Sequence, residues 1–178
     1  MPEFETVKVI ADIIKKEMDI PAGQIALYDQ SVPAPSSLTG LHVTIDIIEK
    51  KVLNNNLRHE PVENSDGLLE VQTMQVQEQI CINVLSTDAE AHERNNEIVF
   101  ALGSTYAQQV QEKHGLRIDR IPSAFIKVFD ATLSSGVNRY TITIGVQRAH
   151  LKESKVDYYD KFQSAELITQ PSNHNPTP

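Results

Sequence analysis

Hydrophobic and polar positions alternate most cleanly between Gly67 and Ser86. Met74, Val76, Ile80, Ile82 and Val84 hold even positions, while Thr73, Gln75, Gln77, Gln79 and Asn83 hold odd ones. That is the period of a half-buried antiparallel strand, apolar on one side and amide-rich on the other. Leu69 and Val71 carry the opposite parity, which predicts a register change near Gln72 to Met74, most cheaply a bulge. The period then changes. Ala91, Ile98, Leu102, Tyr106 and Val110 follow at spacings of seven and four, the stripe of one long helix lying on a sheet. Thr87 with Glu90 predicts a capping box at its start, and Gly115 suits the position just past its end.

The flanking chain repeats these two periods. Val7, Ile10, Ile13, Ile14 and Met18 predict a helix over Thr6 to Asp19, stopped by Pro21-Ala22-Gly23. Strands are expected at Gln24 to Tyr28, from Leu41 through Ile47, at Ala124 to Phe129 and at Asn138 to Arg148, the last two joined as a hairpin through Ser134-Ser135-Gly136. In the final strand Tyr140, Ile142, Ile144 and Val146 face one way and Arg139, Thr141, Thr143 and Gln147 the other. Ser31 to Gly40 reads as a loop, and Lys152 to Asp160 as a charged segment beyond the last strand.

The order helix, strands, helix, strands predicts an α+β fold: a two-layer domain, mostly antiparallel sheet with two helices packed on one face. One domain is expected over residues 1–162, with an extended or disordered C-terminal tail over 163–178, where prolines and asparagines replace aliphatic side chains after Ile168. Residues 50–66 are polar and without period, which predicts a long loop. It contains Asn54, Asn55, Asn56, Arg58 and His59, and reads either as a hairpin tip or as an arm reaching a neighbouring subunit.

At 178 residues the chain is long enough to bury about 70% of the surface it would expose unfolded, and needs no disulfide to do so. Its one cysteine, Cys81, falls on the polar parity of the long strand, as a small spacer in a reducing compartment would. No stretch reaches the roughly 20 apolar residues of a membrane helix, so no membrane partner is expected. Glu3 and Glu5 stand where a secretory signal would place positive charge, which points to the cytoplasm. Twenty-four acidic residues against sixteen basic ones give a net charge of -8, with no basic cluster to grip phosphates.

Reactive constellations are missing from the pattern. His42, His59, His92, His114, His150 and His174 are scattered, and none pairs at the i, i+4 spacing of a helical zinc site. Ser86 and Ser104 lack a nucleophile-elbow setting, and the seven glycines are spread singly, so no phosphate cradle follows a strand. No catalytic residue, metal or cofactor is assigned, and an enzyme is not expected. What remains is the polar strand face, Gln75, Gln77 and Gln79 beside Arg139, which faces either water or another protein. Tyr158 and Tyr159 add two aromatic side chains in an otherwise solvated segment.

Several short stretches together resemble the neck or tail terminator proteins of long-tailed bacteriophages. They are Val71-Gln72-Thr73-Met74-Gln75-Val76-Gln77-Glu78, Ser86-Thr87-Asp88-Ala89-Glu90-Ala91, Ala101-Leu102-Gly103-Ser104-Thr105-Tyr106, Arg117-Ile118-Asp119-Arg120-Ile121-Pro122 and Val156-Asp157-Tyr158-Tyr159-Asp160. The likeness runs from about Thr6 to Phe162 and rests on order and spacing. It implies a structural virion protein, an α+β subunit of a homo-oligomeric six-fold ring. Such a ring caps the tail tube, ends its polymerisation and joins it to the head connector while DNA passes through the lumen. The implied partners are the protein itself, the tail tube protein and the head-tail connector protein. The asparagine-rich stretch and the C-terminal tail lie outside the resemblance. As interface residues they are inferences of the residue pattern, with Tyr158 and Tyr159 as aromatic anchors. Alternatives stand beside this: a connector, adaptor or baseplate subunit, or a non-viral cytoplasmic binding module using its polar sheet face.

Overall fold

A first helix, α1 (Glu5–Glu17), leads through a 3-10 turn to a short strand, β1 (Ile25–Leu27). Two long strands follow, β2 (His42–Pro61) and β3 (Gly67–Ser86), then three helical segments, α2 (Glu90–Arg94), α3 (Glu97–Leu102) and α4 (Thr105–His114). The chain returns as β4 (Leu116–Ile118), β5 (Ile126–Lys127) and a third long strand, β6 (Asn138–Asp157). The computed structural model describes residues 5–27, 40–61, 67–122, 124–128 and 136–157. The fold is α+β.

The sheet runs β1-β2-β3-β6-β4, with β5 also pairing β6. Among the described residues only the β1–β2 pair is parallel. Because β3 pairs β6 without interruption from Gly67↔Asp157 to Ser86↔Asn138, its even positions share one side throughout. Val76, Ile80, Ile82 and Val84 on that side meet Ile142, Ile144 and Val146 of β6 and form the core with Val7, Ile10, Ile13 and Ile14 of α1. Ala91, Ile98, Ala101, Leu102 and Ala107 complete the helical layer. Each fully buried isoleucine contributes about 1.5–3 kcal/mol through the apolar surface it withdraws from water.

Five expectations are corrected. Residues 50–61 are strand, not loop: β2 continues to Pro61, held by β3 through Asn54↔Gln75, Asn55↔Met74, Asn56↔Thr73, Arg58↔Val71 and His59↔Glu70. Backbone pairing with an already regular β3 outweighs the low strand preference of asparagine. The register shifts lie in β2, between Ile47 and Glu49 and between Val52 and Asn54, and β3 has none at Gln72 to Met74. The single long helix is three segments. Asn95 donates its side-chain amide back to the Ala91 and His92 carbonyls, and Ser104 caps α4 by accepting from the Ala107 N–H at 3.0 Å. The first of them begins at Glu90 with Ala89 as its N-cap, so Thr87 does not hold the cap position of a box with Glu90; Ser86 Oγ accepts from Ala91 N–H and Asp88 Oδ1 from Glu90 N–H, both at 2.9 Å. Lys152 to Asp157 is also strand, the end of β6. Gly115 does close α4, in the left-handed region at φ 59°.

The long strands outrun the helices. At about 3.3 Å per residue a 20-residue strand reaches on the order of 65 Å, whereas the 13 residues of α1 span roughly 20 Å. The helical layer ends near Arg148, which donates to Thr6 Oγ1 and pairs with Glu5, both at 3.1 Å. Beyond that point, residues 52–61, 67–76 and 148–157 form a three-stranded arm. On its core-facing side Val52 and Leu57 are 55% and 56% exposed. On the other side Val71 is only 2% exposed, so the apolar parity change at Leu69 and Val71 reflects a ribbon that buries its opposite side.

Candidate functional site

The side of the sheet away from the helices carries two built polar clusters. Thr44, Asn83 and Thr141 lie across three adjacent strands in register. Asn83 is the node: its Oδ1 accepts from Thr141 Oγ1 at 2.7 Å and from Arg139 at 3.0 and 3.1 Å, while its Nδ2 donates to Thr44 Oγ1 at 3.0 Å. Arg139 thus lies along the sheet, and its charge is fixed in place by a neutral acceptor. Cys81 stands beside Asn83, and burial pushes its thiol above the ordinary value, with Arg139 opposing and Asp46 reinforcing the rise. A thiol so raised holds little thiolate and is a poor nucleophile.

The second cluster is a carboxylate clamp. Asp119, just past β4, accepts from Gln77 Nε2 and from Gln147 Nε2, each at 2.8 Å, and its N–H donates to the Gly145 carbonyl at 2.8 Å. Gly145 makes this possible. A Cβ there would stand 2.5 Å from Asp119 Oδ2, so only a residue without a side chain lets the carboxylate lie flat on the sheet.

The structure gathers Gln77 and Arg139 into these clusters. Gln75 is exposed at the start of the arm, and Gln79 lies opposite Glu49 and Gly145. Asn54, Asn55, Asn56, Arg58 and His59 stand apart from them, along β2 of the arm. There Asn55 Oδ1 accepts from Gln72 at 3.2 Å, Arg58 pairs with Glu60 at 2.9 Å and His59 with Glu70 at 3.6 Å. Tyr158, Tyr159 and the tail over 163–178 lie outside the described residues, as do Ser31 to Thr39. The sequence reading missed Asp119, Gly145 and Thr44; a lone glycine inside an alternating strand was the available signal.

On the helical side Glu78 is 1% exposed, within the core-facing row. Its Oε1 pairs with Lys50 Nζ at 3.4 Å, and its Oε2 has no hydrogen-bond partner among the described residues. Nearby His150 is held below its ordinary pKa, chiefly by burial and then by the charges of Arg148 and Lys50, against the pull of Glu78. Tyr140 Oη and His92 Nδ1 are 2.8 Å apart beneath α2.

Two shallow clefts are present, one between α1 and β1 beside Asp12 and Ile25, the other along Arg120 to Ala124. The ionisable groups of the first, Lys8, Asp12 and Lys15, are successive turns of the exposed side of α1. Among the described residues no group of three or more His, Cys, Asp or Glu is placed to hold a metal ion, and no helix is long and apolar enough to cross a membrane. The arrangement suits hydrogen bonding of either polarity across a broad face, with charges on both signs: Asp46, Glu49 and Asp119 against Lys51, Arg117 and Arg139. Compared with known protein families and with characterised proteins, the chain matches none.

Proposed function

We propose that this protein is a structural subunit of a bacteriophage neck, a terminator that closes into a ring on the tail tube, stops its growth and receives the head connector. The observation that carries this reading is the arm. Half of each long strand extends past the helical layer, leaving apolar side chains such as Val52 and Leu57 uncovered in a single copy. Among the described residues no helix covers this side of the ribbon, and a neighbouring surface that took those side chains out of water would stabilise it. The polar face supports the same reading, because amides and hydroxyls with balanced charges can meet a stacked partner without a fixed sign. The resemblance noted in the sequence supplies the partners: tube protein below, connector above.

Contacts between unlike patches close into such rings when the rotation allows it. Six copies at -8 carry -48 in total, which favours DNA sliding through over DNA being held.

The test is a tube-growth assay. Purified tail tube protein is polymerised with increasing amounts of this chain, and tube lengths and ends are measured by negative-stain microscopy. Shorter tubes with an extra density at one end support the proposal. Unchanged lengths with bare ends, at a several-fold excess of the chain, refute it.

A further inference from the structure

We infer that successive copies join arm to arm by strand pairing, the outer edge of β2 in one copy against the outer edge of β6 in the next, with Arg58 and Glu60 level with Glu153 and Lys155 across the joint. This rests on the ring reading above and names the edges that close it. β1 pairs only Val43 to Ile45 of β2, and β4 and β5 pair β6 no further than Arg148. Among the described residues, β2 from Glu49 to Pro61 and β6 from Ala149 to Asp157 therefore have a strand on one side alone, the side of β3. An open edge of this length is a row of backbone donors and acceptors, a template for pairing with another strand. Both stretches are regular where they meet in the joint: the register shifts of β2 end at Asn54, and β6 has none against β3.

Three features assign the added strand to a second copy of this chain. Direction is the first. β2 and β6 each run antiparallel to β3 and so run the same way; rotation about a ring axis brings the β6 edge of one copy beside the β2 edge of the next as a parallel pair, with neither reversed. Level is the second: through β3, Arg58 lies in one row with Val71 and Glu153, and Glu60 in one row with Leu69 and Lys155. Charge is the third. Residues of one row share a side of the sheet, so at this level Arg58 of one copy meets Glu153 of the next, and Glu60 meets Lys155. Arg58 and Glu60 already pair at 2.9 Å within a copy, and Glu153 and Lys155 carry the opposite order of charge, so the joint closes a square of alternating signs. A slip of two residues sets Glu60 against Glu153 in one direction and Arg58 against Lys155 in the other.

The exposed apolar side chains of the arm follow the same edges. Val52, Leu53 and Leu57 belong to β2 and Leu151 to β6, and among the described residues none belongs to β3 between them. In the joint Leu57 comes level with the aliphatic stem of Lys152 and Leu151 with Asn56. Because the two edges differ, a pair of copies still leaves one β2 edge and one β6 edge open, and only closure uses both edges of every copy.

The experiment is disulfide trapping under conditions where wild type forms rings, alone or on tube ends. Arg58→Cys and Glu153→Cys are combined in one chain. Within a copy β3 separates these positions by about 10 Å, beyond the Cα distance a disulfide spans, so only a joint between copies can link them. Oxidation is expected to give a ladder of covalent multimers up to the ring on a non-reducing gel. Wild type, with Cys81 alone, and Arg58→Cys with Leu151→Cys, two residues out of level, are expected to give none. Charge reversal is the second measurement, with circular dichroism melts establishing that each variant keeps the monomer fold. Arg58→Glu with Glu60→Arg keeps the pair within a copy and is expected to weaken the joint about tenfold; Glu153→Lys with Lys155→Glu should do the same, and the two reversals together restore rings. If wild type forms rings but trapping gives no covalent multimers or dimers alone, or the combined reversal restores nothing, the edge pairing is wrong while the ring stands. If wild type forms no ring with or without tube protein, the ring reading itself fails and this joint falls with it.

Discussion

Replacing Gly145 by alanine isolates the clamp that ties β4 to the sheet. The new methyl carbon would stand 2.5 Å from Asp119 Oδ2, 3.3 Å from its Cγ and 3.4 Å from its Cβ. Ordinary contact begins near 3.4 Å, so the carboxylate must retreat by on the order of 1 Å. Its 2.8 Å bonds to Gln77 and Gln147 then lengthen past useful range. Bonds to a charged acceptor contribute roughly 1.5–3 kcal/mol each when buried; these are half-buried and water replaces them in part, so about 1 kcal/mol each is expected. Alanine returns roughly 0.5–1 kcal/mol by restricting the unfolded chain and suiting a strand better than glycine. The net loss is about 1–1.5 kcal/mol, a fall in Tm of roughly 3–5 °C for a domain of this size. The decisive assay is a double-mutant cycle by thermal or urea unfolding. With Asp119→Ala in place nothing obstructs the methyl group, and Gly145→Ala is expected to change sign and stabilise by about 0.5 kcal/mol. An equal loss in both backgrounds would refute the clamp.

Other perturbations follow from the same geometry. Asn83→Leu removes the acceptor shared by Arg139 and Thr141 and is expected to cost about 2–4 kcal/mol in urea unfolding, whereas Asn83→Asp, which keeps the acceptor, costs less; equal costs would show that the node is not the cause. Lys50→Met leaves the Glu78 carboxylate buried without its cation and is expected to destabilise by about 1–3 kcal/mol; adding Glu78→Leu should recover most of this, and a double variant as weak as the single contradicts the account. His150 is held below its ordinary pKa by burial, so the unfolded chain takes up a proton first as pH falls. Stability is then present above about 6.5 and is lost progressively below it, and His150→Gln should flatten that part of the profile; an unchanged slope would exclude His150 as the source.

Much of the framework is legible in the residue pattern. The alternation through Met74, Val76, Ile80 and Ile82, its counterpart in Tyr140 to Val146, the stripe of α1 and the stop at Gly115 all appear in the structure, because burial on one side imposes the period on each. An arm was one of the two readings of this stretch, but its strand character was not legible, since a ribbon uncovered along β2 imposes no clean alternation: Val52 to Pro61 is exposed on both sides and reads as loop. Its strand character comes from β3, a partner distant in sequence. The parity change at Val71 was visible but its cause was not; the strand stays regular and the buried side changes instead. The helix breaks could have been read from Gly103-Ser104, a natural stop and cap, and were hidden by an apolar stripe that continues across them. Of the polar face, Gln77 and Arg139 stood out by parity, while Asp119 reaches it from outside the strand and announces itself only through Gly145.

The central claim is that this protein acts by joining copies of itself through surfaces that one copy leaves open. Mass photometry of the purified chain, with and without tube protein, tests it most directly. The account predicts a closed species of six copies of 19.9 kDa, about 119 kDa, either free or on tube ends, with few intermediates. A single species near 19.9 kDa under every condition, with no binding to tube ends, would contradict it.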